Sequence, residues 1–425
     1  MLPQGLIHNY FKEETYMKKI IALILALVLC VGLVACGGPA AGESKAPASS
    51  APEASQPADP VEDSDGLKYL TAGQKYPAET IRIGVPLYDT TDSSAIAGKA
   101  YFDYLEQYLN IEFIYSEAIA SPEQQIAFVE NCYISGCHAI MGTYDVIGHT
   151  MIDTCAEYGM YYLMGPSDVS LMQGDLYEQY KNNEYWLGGY TQGNLNYEAG
   201  YACAQYLMEK GVKKCCYASG GALFGVEMFV RGQQGFNQAF ADAGYEIEII
   251  DLPGFPNDEW FAQQANILAD PTVEAVSGLA TPNFWAQPLA NASRDDILLV
   301  SGSGAFDATN MQAMEDGVLD FTNFGNVEEQ GMCIVMLINA LNGDLDMVKP
   351  NGVVELIDAN LWIYDNYEDA KAVYDVTTGT EHLVDINDIC TMIKDLNPDA
   401  TFDTMLEIYG ETDLNAILAR HEANR

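Results

Sequence analysis

The chain reads as an α/β protein of two Rossmann-like lobes with parallel sheets, and three observations predict this. From Ile81 onward, short apolar runs alternate with segments of helical period. The alternation occurs twice, in stretches of comparable length. Roughly 360 residues follow the last low-complexity segment, more than one hydrophobic core usually serves.

Ahead of the folded part, Lys18 and Lys19 precede an apolar run from Ile20 to Val34 that ends in Leu33-Val34-Ala35-Cys36. A charged stub, an apolar core and a small residue before a cysteine have the form of a bacterial secretory signal with a lipobox. Residues 1–35 are therefore expected to be removed and Cys36 to carry lipid. The run is shorter than the roughly 20 apolar residues of a spanning helix, which disfavours an uncleaved anchor. Met17 is the expected start, because Met1 to Tyr16 only adds Lys12, Glu13 and Glu14 ahead of a complete signal. Residues 36–65 are mostly Ala, Pro, Ser, Glu and Asp and cannot bury enough surface to offset ordering entropy, so they read as a tether.

In the first lobe, Ile81 to Leu87 is a buried strand followed by the polar loop Asp89 to Ser94. Ile96, Ala100, Tyr104, Leu105 and Tyr108 recur at helical spacing, and Tyr101, Tyr104 and Tyr108 on that helix read as packing residues. Ile111 to Tyr115 is a strand. Ser121-Pro122-Glu123-Gln124 combines a capping serine, proline at the first helical position and glutamine three residues after the cap, which starts a helix running to about Tyr133. Strand Ala139 to Met141, helix Val146 to Tyr158 and strand Tyr161 to Met164 complete a βαβαβαβ series, hence a parallel sheet covered on both faces.

The second lobe repeats the pattern. Helix Tyr197 to Lys210, strand Lys214 to Ala218, helix Glu227 to Ala243 and strand Glu246 to Ile250 come first. Helix Asp258 to Leu268, strand Ala275 to Ser277, a helix after Phe284, strand Ile297 to Val300 and helix Met311 to Asp316 follow. Beyond Lys349, Val353 to Ile357 and Leu361 to Tyr364 look strand-like, and Asp385 to Leu396 and Phe402 to His421 have helical period. These last helices are expected to brace a lobe, since their apolar stripes need covering.

The net charge of −42 argues against nucleic acid as a partner and against unaided adsorption on anionic lipid. Of the ten cysteines, Cys30 lies in the signal and Cys36 at the lipid, and the remaining eight mostly occupy apolar positions, where buried free thiols are expected. No Cys-x-x-Cys occurs, and His138 and His149 stand too far apart in sequence to suggest a metal site. Gly220-Gly-Ala-Leu-Phe-Gly225 lacks the Lys and Ser/Thr of a phosphate loop, and Gly302-Ser303-Gly304 is no nucleophile elbow. No enzyme activity and no cofactor are expected.

Several segments in order resemble the type I solute-binding proteins of bacterial uptake systems, the group that contains ribose- and galactose-binding proteins. They are Ser121 to Glu130, Gly136 to Met141 and Ala156 to Leu163, then Asn196-Tyr-Glu-Ala-Gly200, Arg231-Gly-Gln-Gln-Gly-Phe236, Ala313 to Gly317 and Glu329-Gln-Gly331. The resemblance spans about Ile81 to Asn342 and implies the type I periplasmic-binding-protein fold, two lobes joined by a three-crossing hinge. The crossings it implies fall near Lys181 to Glu184, Phe321 to Asn326 and Met347 to Asn351. The first lobe would then comprise 80–182 plus 327–347, the second 185–320 plus 351–375, and 376–425 would be a helical extension.

The resemblance further implies a monomeric, lipid-anchored, extracytoplasmic receptor that closes on one small ligand and presents it to an ABC permease. A carbohydrate is the first choice of ligand. A nucleoside or autoinducer, or a sensory module presenting to a membrane kinase, are the alternatives. Loop positions after strands make Tyr88, Asp92, Ser94, Tyr144, Asp145, Asp168, Phe224, Asn283, Trp285 and Ser303 the candidate ligand residues. Arg231 and Asn326 join them from the resemblance. Arg231 precedes Gly235-Phe236 by four positions where the family's pocket arginine precedes by three, a rotation of about 100° on a helix. Ser303 stands where sugar binders carry an aspartate, and Gly325 where they carry the hinge glutamine.

Overall fold

The computed structural model describes residues 60–62, 66–119, 121–143, 147–165, 175–191, 194–279, 282–302 and 307–423. The signal segment and Cys36 lie outside them. A two-stranded ribbon of β1 (Val61–Glu62) and β2 (Lys68–Tyr69) opens the described chain, so β1 falls within the stretch expected to be a tether. Then come β3 (Tyr76–Leu87), α1 (Ser93–Leu105), β4 (Leu109–Ala118), α2 (Pro122–Ile134), β5 (Ala139–Gly142), α3 (Gly148–Glu157), β6 (Tyr161–Met164), α4 (Leu176–Tyr180) and β7 (Trp186–Thr191). The second series is α5 (Leu195–Glu209), β8 (Lys214–Gly220), α6 (Glu227–Ala243), β9 (Glu248–Pro253), α7 (Asp258–Ala269), β10 (Ala275–Leu279), α8 (Pro282–Ala292), β11 (Leu298–Gly302), α9 (Ala308–Glu315) and β12 (Phe321–Gly325). Helix α10 (Gln330–Asn342), strands β13 (Leu356–Asp358) and β14 (Leu361–Tyr364), and helices α11 (Tyr367–Thr378), α12 (Ile386–Met392), α13 (Phe402–Tyr409) and α14 (Leu414–Ala423) finish it. Among the described residues no helix is long and apolar enough to cross a membrane.

Two six-stranded sheets result. The first has order β13-β7-β6-β5-β3-β4 with every pairing parallel, and the second β14-β12-β11-β10-β8-β9 with only β12 and β14 antiparallel. The helix start read at Ser121 forms a full capping box, its hydroxyl accepting from Gln124 N while the Gln124 side chain accepts from Ser121 N.

The crossings differ from expectation. Every residue of β7 is buried, and β7 pairs with β6 and β13, so the first lobe continues to Thr191. The first passage therefore follows Thr191 rather than lying at Lys181 to Glu184. Met347 to Asn351 also stays inside the first lobe, where Lys349 Nζ donates to Asn183 O at 2.6 Å and Val354 N to Lys181 O at 2.9 Å. The two segments expected to cross thus lie side by side without leaving their lobe. The second passage runs through Asn326 to Glu329, next to its expected place, and the third through Ala359 and Asn360, between β13 of one sheet and β14 of the other.

The chain then passes a fourth time. Helix α11 packs on the second lobe, whereas Ile386 to Tyr409 enters the first-lobe core beside Tyr101, Leu105 and the buried helix α10. The expected helix over Phe402 to His421 breaks at Gly410, and α14 returns to pack Ile417 against Phe324, Trp362 and Val376 of the second lobe. This extension is stitched to the rest of the first lobe by backbone and side-chain bonds, Lys68 N to Leu396 O at 3.0 Å, Tyr76 OH to Asp395 at 3.0 Å and Asn339 Nδ2 to Met392 O at 3.0 Å. It also covers the tyrosine face of α1. Tyr104 lies 3.8 Å from the His382 ring, and its hydroxyl accepts from Ile386 N.

Two of the motif glycines now have a physical reason. Helices α5 and α6 touch backbone to backbone, and a Cβ at Gly200 would lie 2.0 Å from Gly232 O, one at Gly235 1.9 Å from Tyr197 O. The obstacle in each case is a carbonyl that cannot swing aside. Gly200→Ala and Gly235→Ala should each lower stability by about 1–3 kcal/mol, seen as a lower urea midpoint at unchanged slope.

Candidate functional site

In an open parallel sheet the ligand crevice lies past the carboxyl ends of the strands where the strand order reverses. In the first sheet that point is β3, flanked by β4 on one side and β5 on the other. A cavity of about 290 Å³ sits there, with Val85, Leu87 and Phe102 as its apolar floor. Tyr88, Asp89, Asp92 and Ser94 come from the loop and helix start after β3, Tyr115 from β4, Thr143 from the end of β5 and Gln330 from the hinge helix α10. Tyr88, Asp92 and Ser94 of the expected set are thus brought together. Tyr88 is half exposed, a ring presented to solvent rather than to the core.

The loop is shaped by its own carboxylates. Asp89 Oδ1 accepts from Thr91 N at 2.8 Å and Thr91 Oγ1 at 2.7 Å, and Asp92 Oδ1 caps α1 by accepting from Ser94 N at 3.0 Å and Ala95 N at 3.1 Å. Lys99 Nζ sits 5.5 Å over the Tyr115 ring and 3.3 Å from Asp103. Burial pushes the Tyr115 phenol well above its ordinary pKa, and among the described residues its hydroxyl has no hydrogen-bond partner. The wall therefore offers carboxylates, an ammonium and a phenol to a polar solute. Asp89, Lys99 and Tyr115 were missed from sequence. Tyr115 lies in a segment read as plain strand, and Lys99 on a helix read for its apolar stripe.

The second sheet reverses at β8, between β9 and β10. Beyond these strand ends lie aromatic rings, of which Phe224, Phe255 and Phe284 are exposed. Phe224 stacks on Phe255 at 6.1 Å, Phe229 meets Phe255 edge-on at 5.7 Å, and Phe284 lies 6.1 Å from Trp260. Leu223 and Phe224 are more than half exposed. Phe224 was expected, whereas its partner Phe255 was missed because a lone phenylalanine in a glycine-proline turn carries no period.

Other expected residues are placed elsewhere. Trp285 is fully buried in the second-lobe core, 6.0 Å from Trp260, because it faces inward from α8. Asn326 is buried with its Oδ1 accepting from Glu328 N at 3.0 Å, a local turn at the second passage. Arg231 points to the first passage, where Nη2 donates to Asn194 Oδ1 at 3.3 Å over the Tyr197 ring, and Asn194 Nδ2 donates in turn to Asp358 at 2.9 Å. Tyr144, Asp145, Asp168, Ser303 and the Asn283 side chain lie outside the described residues. The eight cysteines from Cys132 to Cys390 are buried and form no disulfide in this structure.

Behind the cavity the hinge carries buried carboxyl groups. Glu328 Oε1 lies 2.8 Å from His382 Nδ1, and its Oε2 accepts from Leu383 N at 2.7 Å and Val384 N at 3.2 Å, joining the second passage to the fourth. Glu329 Oε1 accepts from Asn360 N at 3.2 Å and Nδ2 at 2.9 Å, joining the second to the third. Asp388 takes two bonds from Arg420, both 2.8 Å, and one from His421 at 3.0 Å.

No protein-family model and no curated protein sequence matches the chain. Solved structures do. An ABC transporter periplasmic solute-binding protein from Actinobacillus succinogenes 130z with bound D-allose is 17% identical, with a TM-score of 0.53 over 69% of this chain and 100% of that one. The periplasmic binding protein component of the arabinose ABC transporter from Shewanella sp. ANA-3, bound to L-arabinofuranose, is 18% identical with a TM-score of 0.52, over 70% and 95%. A solute-binding protein from Bacillus halodurans C-125 with bound myo-inositol is 18% identical with a TM-score of 0.51, over 71% and 99%. With its two six-stranded, mostly parallel sheets and its hinge, the chain has the type I periplasmic-binding-protein fold.

Proposed function

We propose that the protein is an extracytoplasmic receptor of an ABC importer, held at the membrane by lipid on Cys36, that captures a small polar solute between its lobes and catalyses no reaction. The observation that carries this is the cavity at the first-sheet reversal point, lined by Tyr88, Asp89 and Asp92 and touching the hinge through Gln330. Rings cover the apolar face of a sugar while carboxylates accept from its hydroxyls. A sugar is favoured because three structures of the same fold hold D-allose, L-arabinofuranose and myo-inositol. A nucleoside or autoinducer is the second reading, favoured by the Phe224–Phe255 stack, which offers more apolar surface than a monosaccharide covers.

A thermal-shift screen of the chain freed of residues 1–35, followed by calorimetric titration, tests both. A ligand at a hundred times its dissociation constant stabilises by about 2.7 kcal/mol. Tyr88→Ala and Asp89→Asn should each weaken a sugar about tenfold, the latter keeping the turn while removing the charged acceptor. A response to nucleosides alone would select the second reading, and no response to any of these classes would remove the transport assignment.

A further inference from the structure

Helix α2 ends in a Schellman motif. Gly136 adopts φ +74°, Gly136 N donates to Tyr133 O at 3.0 Å, and Cys137 N donates to Cys132 O at 2.9 Å. The side chains at the two ends of such a six-residue loop touch. Helices α3, α5 and α6 close the same way, with Met160 N to Cys155 O, Val212 N to Leu207 O and Tyr245 N to Phe240 O. Those ends carry the ordinary apolar pairs. At α2 both positions are cysteine.

A 2.9 Å bond from the amide of one cysteine to the carbonyl of the other keeps their α-carbons within about 6.8 Å, given standard bond lengths, and disulfides span this range. The two thiols are near enough to shift each other's ionisation, Cys132 upward and Cys137 downward. They differ in access. Cys132 is 1% exposed and lies over β3, so close that a Cβ at Gly84 would come 2.5 Å from its sulfur. Cys137 is 7% exposed and lines a surface depression with Tyr133, His138 and Tyr158. We propose that Cys132 and Cys137 are a reversible dithiol–disulfide pair, entered from solvent through Cys137.

The neighbouring Cys132 thiol, with help from the Arg82 guanidinium, lowers the Cys137 pKa, which together with its greater access favours Cys137 as the attacking thiolate. It attacks one sulfur of an external low-molecular-weight disulfide such as glutathione disulfide. One glutathione thiolate leaves and takes up a proton. Cys132 then gives its proton to water and attacks Cys137 Sγ, forming the Cys132–Cys137 bond and expelling the second glutathione. Two protein thiols are oxidised and one disulfide is reduced to two thiols, so electrons balance. The bond would fasten the end of α2 beneath β3, the strand that delivers Leu87 to the candidate cavity.

The test is incubation of the folded protein with glutathione disulfide, then alkylation in denaturant and peptide mass analysis. A Cys132–Cys137 linked peptide with the six other described cysteines alkylated is the expected result. Both thiols remaining alkylatable, or all cysteines oxidising together, would overturn the proposal. In Cys132→Ser the reaction should stop at glutathione on Cys137, and in Cys137→Ser, Cys132 should stay unmodified. Glutathione on Cys132 in the second variant would refute entry through Cys137, and the wild-type arm stands even if either variant fails to fold.

Discussion

Asp388→Ala should destabilise the protein by about 3–5 kcal/mol, among the largest losses from any single substitution in the chain. The carboxylate is fully buried in α12 and takes bonds from both Arg420 and His421 of α14, with the Asp385 carboxylate also within 4.8 Å of His421. Removing it strands the Arg420 guanidinium in the seam between lobes. Burial alone would push the Asp388 carboxyl up, but the bonds from His421 and Arg420 win and hold it below its ordinary pKa. For His421 burial works against the charged form, yet Asp388 raises its pKa. The two shifts define a window. The aspartate contribution is present above the ordinary Asp value and lost as pH falls through the lowered one. The histidine contribution is complete below the ordinary His value and lost as pH rises through the raised one. The gap between wild type and Asp388→Ala in urea melts should therefore be widest from about pH 4 to 6.5. A gap independent of pH would mean that Asp388 acts by packing alone.

Glu329→Gln should do the opposite and stabilise the protein in base. Burial pushes the Glu329 carboxyl up to about 8, against two hydrogen bonds from Asn360 that lower it. A raised carboxyl holds its proton when folded, so its contribution is complete below about pH 4.5 and is lost as pH rises through about 8. Glutamine keeps an oxygen for both Asn360 donors and has no charge to desolvate. Melting curves of the two proteins should coincide near pH 5 and diverge by pH 9, with the variant ahead by on the order of a few kcal/mol. Parallel curves across that range would show that Glu329 is not the titrating group.

Much of the fold was legible in the sequence where periodicity and capping signals are strong. Ser121-Pro122 announced α2, and the stripes of α1 and α6 announced those helices with nearly the observed ends. What was missed is buried on all sides. Trp186 to Thr191 and Met332 to Ala340 have no exposed face, so neither shows an alternation that would mark a strand or helix boundary. Losing β7 shifted the first passage, and the crossings carried over from the resemblance at Lys181 to Glu184 and Met347 to Asn351 fall on two segments that bond to each other within one lobe. The candidate site divides the same way. Tyr88, Asp92 and Ser94 follow from one strand end, whereas Trp285 and Phe255 exchanged roles because which face of a second-lobe element turns inward depends on neighbours far along the chain.

The extension has a consequence for the order of events during synthesis. The first-lobe core draws on Leu70 to Leu195, then on Met332 to Val348, and then on Val384 to Tyr409. A ribosome making this chain has therefore emitted both sheets and α11 of the second lobe before it supplies the residues that seal the first. Long-range closure of this kind is slow, and it leaves the early half of the chain unable to reach its final packing until Val384 to Tyr409 has appeared.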